Sequence, residues 1–244
     1  MILSGILQFS GFYPPHDAAR PHSATMNIRH EATRGDKERS GRTTGRVLHR
    51  TRVYDLLAWL MTFGRETTFR DRILDLAALA PGESVLDVGS GTGTLAIRAK
   101  QRVGSAGFVC GIDASAEMVA AARTKAKKAR ANLVFQNAIV EELPFPDAHF
   151  DAVLSTLMMH HLPRPARAQC ASEMRRVLKP GGRAVVVDFG SAQSERRNLL
   201  DHFHRHGHVK QEELVTLLED AGFSITSNGP MGLMNLQFLT ATMA

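Results

Sequence analysis

A chain of 244 residues, 43% of them hydrophobic, is long enough for one α/β domain with an appendage and can bury a sizeable core. Its formal charge of +6 sits almost wholly in residues 1–52, where nine basic residues meet four acidic ones; residues 53–244 hold 21 and 20, so the body is nearly neutral and no nucleic-acid partner is expected. No apolar run reaches the roughly 20 residues of a membrane span, and two cysteines without a CxxC, Cys110 and Cys170, imply neither a disulfide framework nor a cysteine-built metal site.

Residues 1–45 are rich in Arg, Ser, Thr, Gly and Pro and read as a disordered basic tail, because such a composition buries little apolar surface. The opening MILSGILQF has no basic segment before it and no small-residue cleavage site after it, which speaks against a secretory signal. Two other readings of the tail stand: an organelle-targeting segment, against which its four acids count, and translation begun upstream of a start at Met26. Free cysteines fit a reducing compartment, so a cytoplasmic protein is expected.

The body, 46–244, opens with helical periodicity. Val53, Leu56, Leu57, Leu60 and Met61 recur at helix spacing, as do Phe69, Ile73, Leu76, Ala77 and Ala80, which makes 46–80 a helical cap ended by Pro81-Gly82. Strands and helices then alternate: strand 84–88, helix 92–102, strand 107–113, helix 115–131 capped by Ser115, strands 132–136 and 150–155, helix 165–178, a tight break at Lys179-Pro-Gly-Gly182, and strand 183–189. An insert at 190–210 precedes helix 211–221 and strands 223–227 and 236–243. Such alternation predicts an α/β fold: a doubly wound, Rossmann-like sheet of seven strands, mostly parallel, with helices on both faces. The final two strands are joined by SNGPMGLMN without a helix, and so short a link joins only antiparallel neighbours; the sheet is therefore expected to be parallel with one reversed strand near its end.

The first strand runs into SVLDVGSGTGTL, with glycines at 89, 91 and 93. A phosphate-cradling P-loop needs a lysine after its last glycine, and none is present. The dinucleotide fingerprint GxGxxG fits Gly89 and Gly91 but finds threonine at 94. Asp87, two residues before the first glycine, would repel a pyrophosphate and suits an ammonium or sulfonium instead. Asp113 ends the second strand, where an acid can accept both hydroxyls of a ribose. A nucleoside at one end and a cationic, phosphate-free group at the other is the outline of S-adenosylmethionine.

VLDVGSGTG, GIDAS, LPFPDAHFDAVLS and RRVLKPGGRAVVVDF, in that order, resemble the class I S-adenosylmethionine-dependent methyltransferases, and in particular the ubiquinone/menaquinone-biosynthesis-like branch. The resemblance covers about 50–190 and implies a seven-stranded sheet with the seventh strand antiparallel. Carried onto this chain, it places Gly89, Ser90, Gly91 and Gly93 around the methionine portion of the cofactor, Asp87 toward its ammonium, Asp113 on the ribose hydroxyls and Met118 on adenine. Tyr54, Ala114, Asn137, Ile139, Val140 and Ser155 complete the cofactor-binding set. The family commonly has Asp-Ala or Asn-Ala a few residues before LPF; here Ile139 and Val140 stand there, with Asn137 two residues earlier.

Methyl transfer asks the protein to align a nucleophile and exclude water, and needs a base only when the acceptor must lose a proton. His160 and His161, in the loop after the fourth strand, are the catalytic candidates; packing or capping is the structural alternative, and lining the cofactor is a further role for His160. HFHRHGHVK spaces histidines at 202, 204, 206 and 208, a pattern compatible with a metal site, but methyl transfer needs no metal and the segment reads as a loop at the active-site mouth. The basic run 123–130 reads as the solvated face of a helix. Segments 46–80 and 190–210 are expected to select the acceptor, and LLAWLMTF favours a small hydrophobic or lipid-like molecule, such as a quinone-precursor carbon or a phospholipid amine, with peripheral membrane contact compatible with either. An O- or N-methyltransferase of a secondary metabolite, a non-catalytic S-adenosylmethionine-binding regulator and a nicotinamide oxidoreductase are the alternatives. The oligomeric state is left open.

Overall fold

A computed structural model describes Gly45 and residues 66–190, 209–233 and 235–243. The tail, the first cap helix with Tyr54, the histidines at 202–208 and nearly all of the 190–210 insert lie outside the described residues. The elements in chain order are α1 (Glu66–Leu76), β1 (Ser84–Val88), α2 (Thr94–Val103), β2 (Phe108–Asp113), α3 (Ala116–Lys128), β3 (Val134–Asn137), β4 (Phe150–Thr156), a 3-10 turn (Met159–His161), α4 (Arg164–Val177), β5 (Leu178–Phe189), α5 (Gln211–Asp220), β6 (Phe223–Pro230) and β7 (Leu236–Met243).

The seven strands form one sheet in the order β3-β2-β1-β4-β5-β7-β6. β1 through β5 are parallel, with Leu86 beside Cys110 on one flank and Val153 on the other. β7 runs antiparallel to both neighbours, pairing Val186 with Leu239 and Ile225 with Ala241, as the short helix-free link requires. The chain leaves β1 toward β2 and β3, then returns to the other side of β1 as β4. That reversal opens a crevice beyond the carboxyl ends of β1 and β4, where doubly wound sheets bind ligands.

SVLDV and FDAVLST are near-continuous apolar runs because both sheet faces are covered. Alternate residues serve alternate faces. Leu86, Val88, Ile112, Val153 and Val186 pack with Ala171 and Met174 of α4 and Leu214 and Leu218 of α5. Val85, Val109, Leu154, Val185 and Val187 pack with Ile73 and Leu74 of α1, Leu95 and Ala99 of α2, and Val119 and Ala122 of α3. Both cysteines are buried core residues: burial pushes the Cys110 thiol up to about 12 and Cys170 higher still, so neither is a reactive thiolate.

Four of the boundaries that differ from expectation have a visible cause. β5 starts at Leu178 and runs through Lys179–Gly182, expected as a break: Phe150 pairs with Leu178 and Ala152 with Arg183, so the extra residues bulge opposite Asp151, to which Lys179 Nζ donates at 2.8 and 2.9 Å. β6 continues to Pro230, tolerable because β6 is an edge strand that needs no donor there. α2 starts at Thr94 rather than 92, because Gly93 at φ +79° is its left-handed cap. α3 stops at Lys128, and Arg130 at φ +52° turns the chain toward β3.

The end of α1 is tied to the sheet by Arg183. Its guanidinium donates to the carbonyls of Ala77 and Ala78 and pairs with Glu83 at 2.7 and 2.9 Å. These contacts satisfy carbonyls that a helix end leaves open. Arg183→Ala is expected to lower stability by about 1–2 kcal/mol, read from the midpoint of urea unfolding, with the spectrum of the folded state retained.

Candidate active site

The turn after β1 is built by its glycines. Gly89, Gly91 and Gly93 hold φ of +72°, +53° and +79°. A Cβ on Gly89 would lie 2.4 Å from Met158 Cγ, and one on Gly93 2.4 Å from the Phe135 ring, so the turn needs glycine for space as well as for angle. Ser90 N–H donates to the Ile112 carbonyl at 2.8 Å, which docks the turn onto the end of β2.

Asp113 joins three pieces. Its Oδ2 accepts from Gly91 N–H and its Oδ1 from Ser115 N–H, both at 2.9 Å. Ser115 in turn caps α3 by accepting from Met118 N–H at 3.2 Å. Asn137 Nδ2 donates to the Asp113 carbonyl at 2.9 Å, so β3 holds the backbone at the same point. Burial raises the Asp113 carboxyl above its ordinary value, and the Ser115 and Gly91 N–H groups oppose that rise. Each carboxylate oxygen retains a second lone pair, leaving two adjacent acceptor sites.

Asp87 is 2% exposed and its Oδ2 has no hydrogen-bond partner. Burial pushes its carboxyl up from 3.8 to about 7; the Arg70 charge draws it down, Asp113 draws it up and the Ala96 N–H draws it down. The hydroxyls of Ser90, Ser155 and Thr156 are likewise buried without a partner. Buried polar atoms are nearly always paired, so four orphans in the β1 turn and at the ends of β1 and β4 mark a place for a polar ligand. Ser155 pairs in register with Val88, the last residue of β1, which puts these groups at the mouth of one crevice.

The remaining candidates flank this edge. Ala114 and Ile139 are half-buried, Met118 is buried in the first turn of α3, and the Val140 side chain packs in the core with Leu143 and Leu162, leaving only its backbone for a ligand. The segment after Val140 is clamped from α4: Glu173 accepts from Leu143 N–H at 2.7 Å, while Arg176 donates to the carbonyls of Leu143 and Phe145 at 3.0 and 2.8 Å. The basic run of α3 is in part structural: Lys125 donates to the hydroxyls of Thr92 and Thr94 at 2.9 Å, and Arg123 to the Phe135 carbonyl at 2.7 and 3.1 Å.

His160 lies on the 3-10 turn after β4, and His161 stacks obliquely on it with ring centroids 3.9 Å apart. The partner of His160 is Asp188 on β5, with Nδ1 2.6 Å from Oδ1. Reading of the chain missed Asp188. The available signal was a carboxylate near the carboxyl end of a buried strand, in AVVVDF, the same placement that singled out Asp113.

Comparison with known proteins agrees with this geometry. A methyltransferase-domain family model matches residues 85–182. The chain is 33% identical over 170 residues to the ubiquinone/menaquinone biosynthesis C-methyltransferase of Laribacter hongkongensis, a match covering 69% of this chain and 68% of the relative. It is 40% identical over 136 residues to the demethylmenaquinone methyltransferase of Thermus thermophilus, covering 56% and 60%. The chain thus spans about three fifths to two thirds of these relatives' length. Among solved structures, a SAM-dependent methyltransferase from Aquifex aeolicus has the same fold, with a TM-score of 0.64 at 24% identity over 78% of this chain and 98% of that one.

Proposed function

The chain belongs to the class I S-adenosylmethionine-dependent methyltransferases of the ubiquinone/menaquinone-like branch, and from that premise we propose that it methylates a small hydrophobic or lipid-like acceptor, with a quinone-precursor ring carbon favoured. The observation that carries the site assignment is the set of orphaned polar atoms, Asp87 Oδ2 and the Ser90, Ser155 and Thr156 hydroxyls, beside the two acceptor sites of Asp113.

The residues present fit the cofactor. The turn at 89–93 would receive the methionine portion by its backbone, and Asp87 would meet the ammonium, an ionic partner that suits a buried carboxylate with an open oxygen. Asp113 would take the ribose hydroxyls. Ala114, Met118, Ile139 and the backbone of Val140 would border adenine, with Asn137 holding the Asp113 backbone and Ser155 offering its hydroxyl to the methionine end. Tyr54 is assigned here by the family resemblance alone.

When bound, the cofactor supplies an electrophilic methyl group on a sulfonium. The chain's part is to align the acceptor and keep water out, with His160 or His161 available as a proton acceptor. The activities named for the two relatives favour carbon on a quinone ring over a phospholipid amine. A purely regulatory binder is disfavoured by the intact Asp87, Asp113 and His160–Asp188 set. A nicotinamide cofactor is disfavoured by Thr94, which begins α2 where the third glycine would fall, and by a carboxylate beneath the turn.

The test is incubation with S-adenosylmethionine labelled in its methyl group and three acceptors: a reduced 2-unsubstituted 1,4-naphthoquinone, phosphatidylethanolamine vesicles and a simple phenol. Label in a new ring C–CH3 group is the expected product. Label only on nitrogen or oxygen overturns the acceptor assignment.

A further inference from the structure

Among the described residues two sheet carboxylates are fully buried, and they are treated oppositely. Asp87 keeps an open oxygen, whereas Asp188, 1% exposed, has both oxygens engaged. Asp188 Oδ1 accepts from Phe189 N–H at 2.7 Å and lies 2.6 Å from His160 Nδ1; Oδ2 accepts from His160 N–H at 3.1 Å. A carboxylate already accepting from two backbone N–H groups is an acceptor toward the ring as well, so Nδ1 carries a proton and, in the neutral ring, Nε2 holds the lone pair.

The same contacts fix the ring's place. Backbone and imidazole of one histidine rest on one carboxylate, the ring edge meets Phe189 with centroids 5.1 Å apart at 76°, and the His160 side chain is only 12% exposed. Among the described residues, the charged and titratable groups on the elements packed against it are Asp188 on β5, His161 on its own turn, and Arg167 of α4, whose Nε donates to the Met159 carbonyl at 3.0 Å. His160 stands two residues after Met158, the side chain that fills the space over Gly89. The imidazole is thus anchored at the carboxyl edge of the sheet, the edge that also carries the orphaned polar atoms.

We propose that Asp188 is a positioning residue that holds His160 with its proton on Nδ1, so that Nε2 takes the hydroxyl proton of a hydroquinone acceptor. The acceptor identity rests on the quinone-ring reading above; the dyad rests on its own geometry. The acceptor O–H bond breaks and the proton forms an N–H bond at Nε2, while the electron pair stays on oxygen and is shared with the unsubstituted ring carbon ortho to it. That carbon uses its pair to form the bond to the methyl group as the C–S bond of the methyl donor breaks, its pair going to sulfur. The ring C–H then loses its proton to water, restoring the aromatic ring, and the imidazolium returns its proton to the oxygen. One proton is released per methyl transferred.

The experiment has two parts. In protein labelled with 15N-histidine, the His160 ring nitrogens are read by NMR with S-adenosylhomocysteine present: a protonated Nδ1 and an unprotonated Nε2 are expected in the wild type, and a redistributed proton in Asp188→Asn. In parallel, methyl transfer to a series of 1,4-naphthohydroquinones of graded acidity is measured for wild type, Asp188→Asn and His160→Gln. His160→Gln keeps a donor for Asp188 but cannot accept a proton, and it guards against a fold defect in Asp188→Asn. Its kcat is expected to fall by about 10²–10⁴ with unchanged S-adenosylhomocysteine affinity, the loss shrinking for the most acidic hydroquinones. Asp188→Asn is expected to lose at least tenfold in kcat with KM for S-adenosylmethionine held. A proton on Nε2 in the wild type, or a His160→Gln loss that is absent or equal across the series, overturns the dyad. Failure of the wild type to methylate any hydroquinone overturns the acceptor class and the reading it rests on, whatever the NMR shows.

Discussion

Asp113→Ala is expected to bind S-adenosylmethionine and S-adenosylhomocysteine at least a hundredfold more weakly than the wild type while remaining folded. Hydrogen bonds to a charged group are worth about 1.5–3 kcal/mol each, so two ribose hydroxyls lost together amount to about 3–6 kcal/mol, and every 1.4 kcal/mol is tenfold in affinity. A second cost adds to the first, because Asp113 also orders the turn: without it, Gly91 N–H and Ser115 N–H lose their acceptor and the cofactor must organise the loop itself. Asp113→Asn separates the two. It keeps one acceptor oxygen and sets an amide donor against a backbone donor, so an intermediate affinity is expected. The fold should persist, since Asp113 lies at the rim and the core beneath belongs to Ile112, Val109 and Phe135. Calorimetric titration with a thermal melt of the same sample decides it. Near-normal affinity in Asp113→Ala would remove Asp113 from the ribose site.

Asp87→Asn is expected to make the cofactor-free protein more stable at pH 8 and a poorer binder. Burial raises the folded-state value of Asp87 from 3.8 to about 7, above its unfolded one. The folded state then holds the proton more tightly than the unfolded state, so stability falls as pH rises between about 4 and 7 and stays low above. A tenfold change in acidity corresponds to about 1.4 kcal/mol, and the gain at pH 8 is on the order of a few kcal/mol. Near pH 4 the two proteins should be alike. Binding runs the other way. A cationic ligand end compensates the buried carboxylate, so wild-type affinity should drop as pH falls below about 7, and Asp87→Asn should lose at least tenfold at pH 8. Urea unfolding at pH 5 and pH 8 with titrations at the same values checks both. Equal stability at pH 8, or unchanged affinity, would show that Asp87 does not face the cation. The trade of stability for binding is typical of sites that hold an uncompensated charge ready for a ligand.

The parts of this site that end strands were legible from the chain alone. SVLDV running into Gly89, and FVCGID ending at Asp113, put a carboxylate and a glycine turn at one edge, because parallel strands share their carboxyl ends. That one strand near the end of the sheet is reversed followed from the length of a loop; that it is the seventh came from the family resemblance. What could not be read depends on which strands are neighbours. His160 and Asp188 are 28 residues apart and meet only because β4 lies beside β5. Lys125 reaches Thr92 across 33 residues because α3 packs beside the turn, so a base that looked solvated holds the glycine loop instead. The bulge at Lys179–Gly182 read as a break because Pro-Gly-Gly signals a turn; its pairing against Asp151 is a property of the partner strand.

The claim on which the account rests is that the edge formed by Asp87, the glycine turn and Asp113 is an S-adenosylmethionine site. Its most direct test is calorimetric titration of the whole chain with S-adenosylmethionine and S-adenosylhomocysteine, with NADH alongside. Binding of the first two at micromolar concentrations, with one site per chain and no heat from NADH, is the predicted result. Binding of NADH without the other two, or of none of the three, would contradict it.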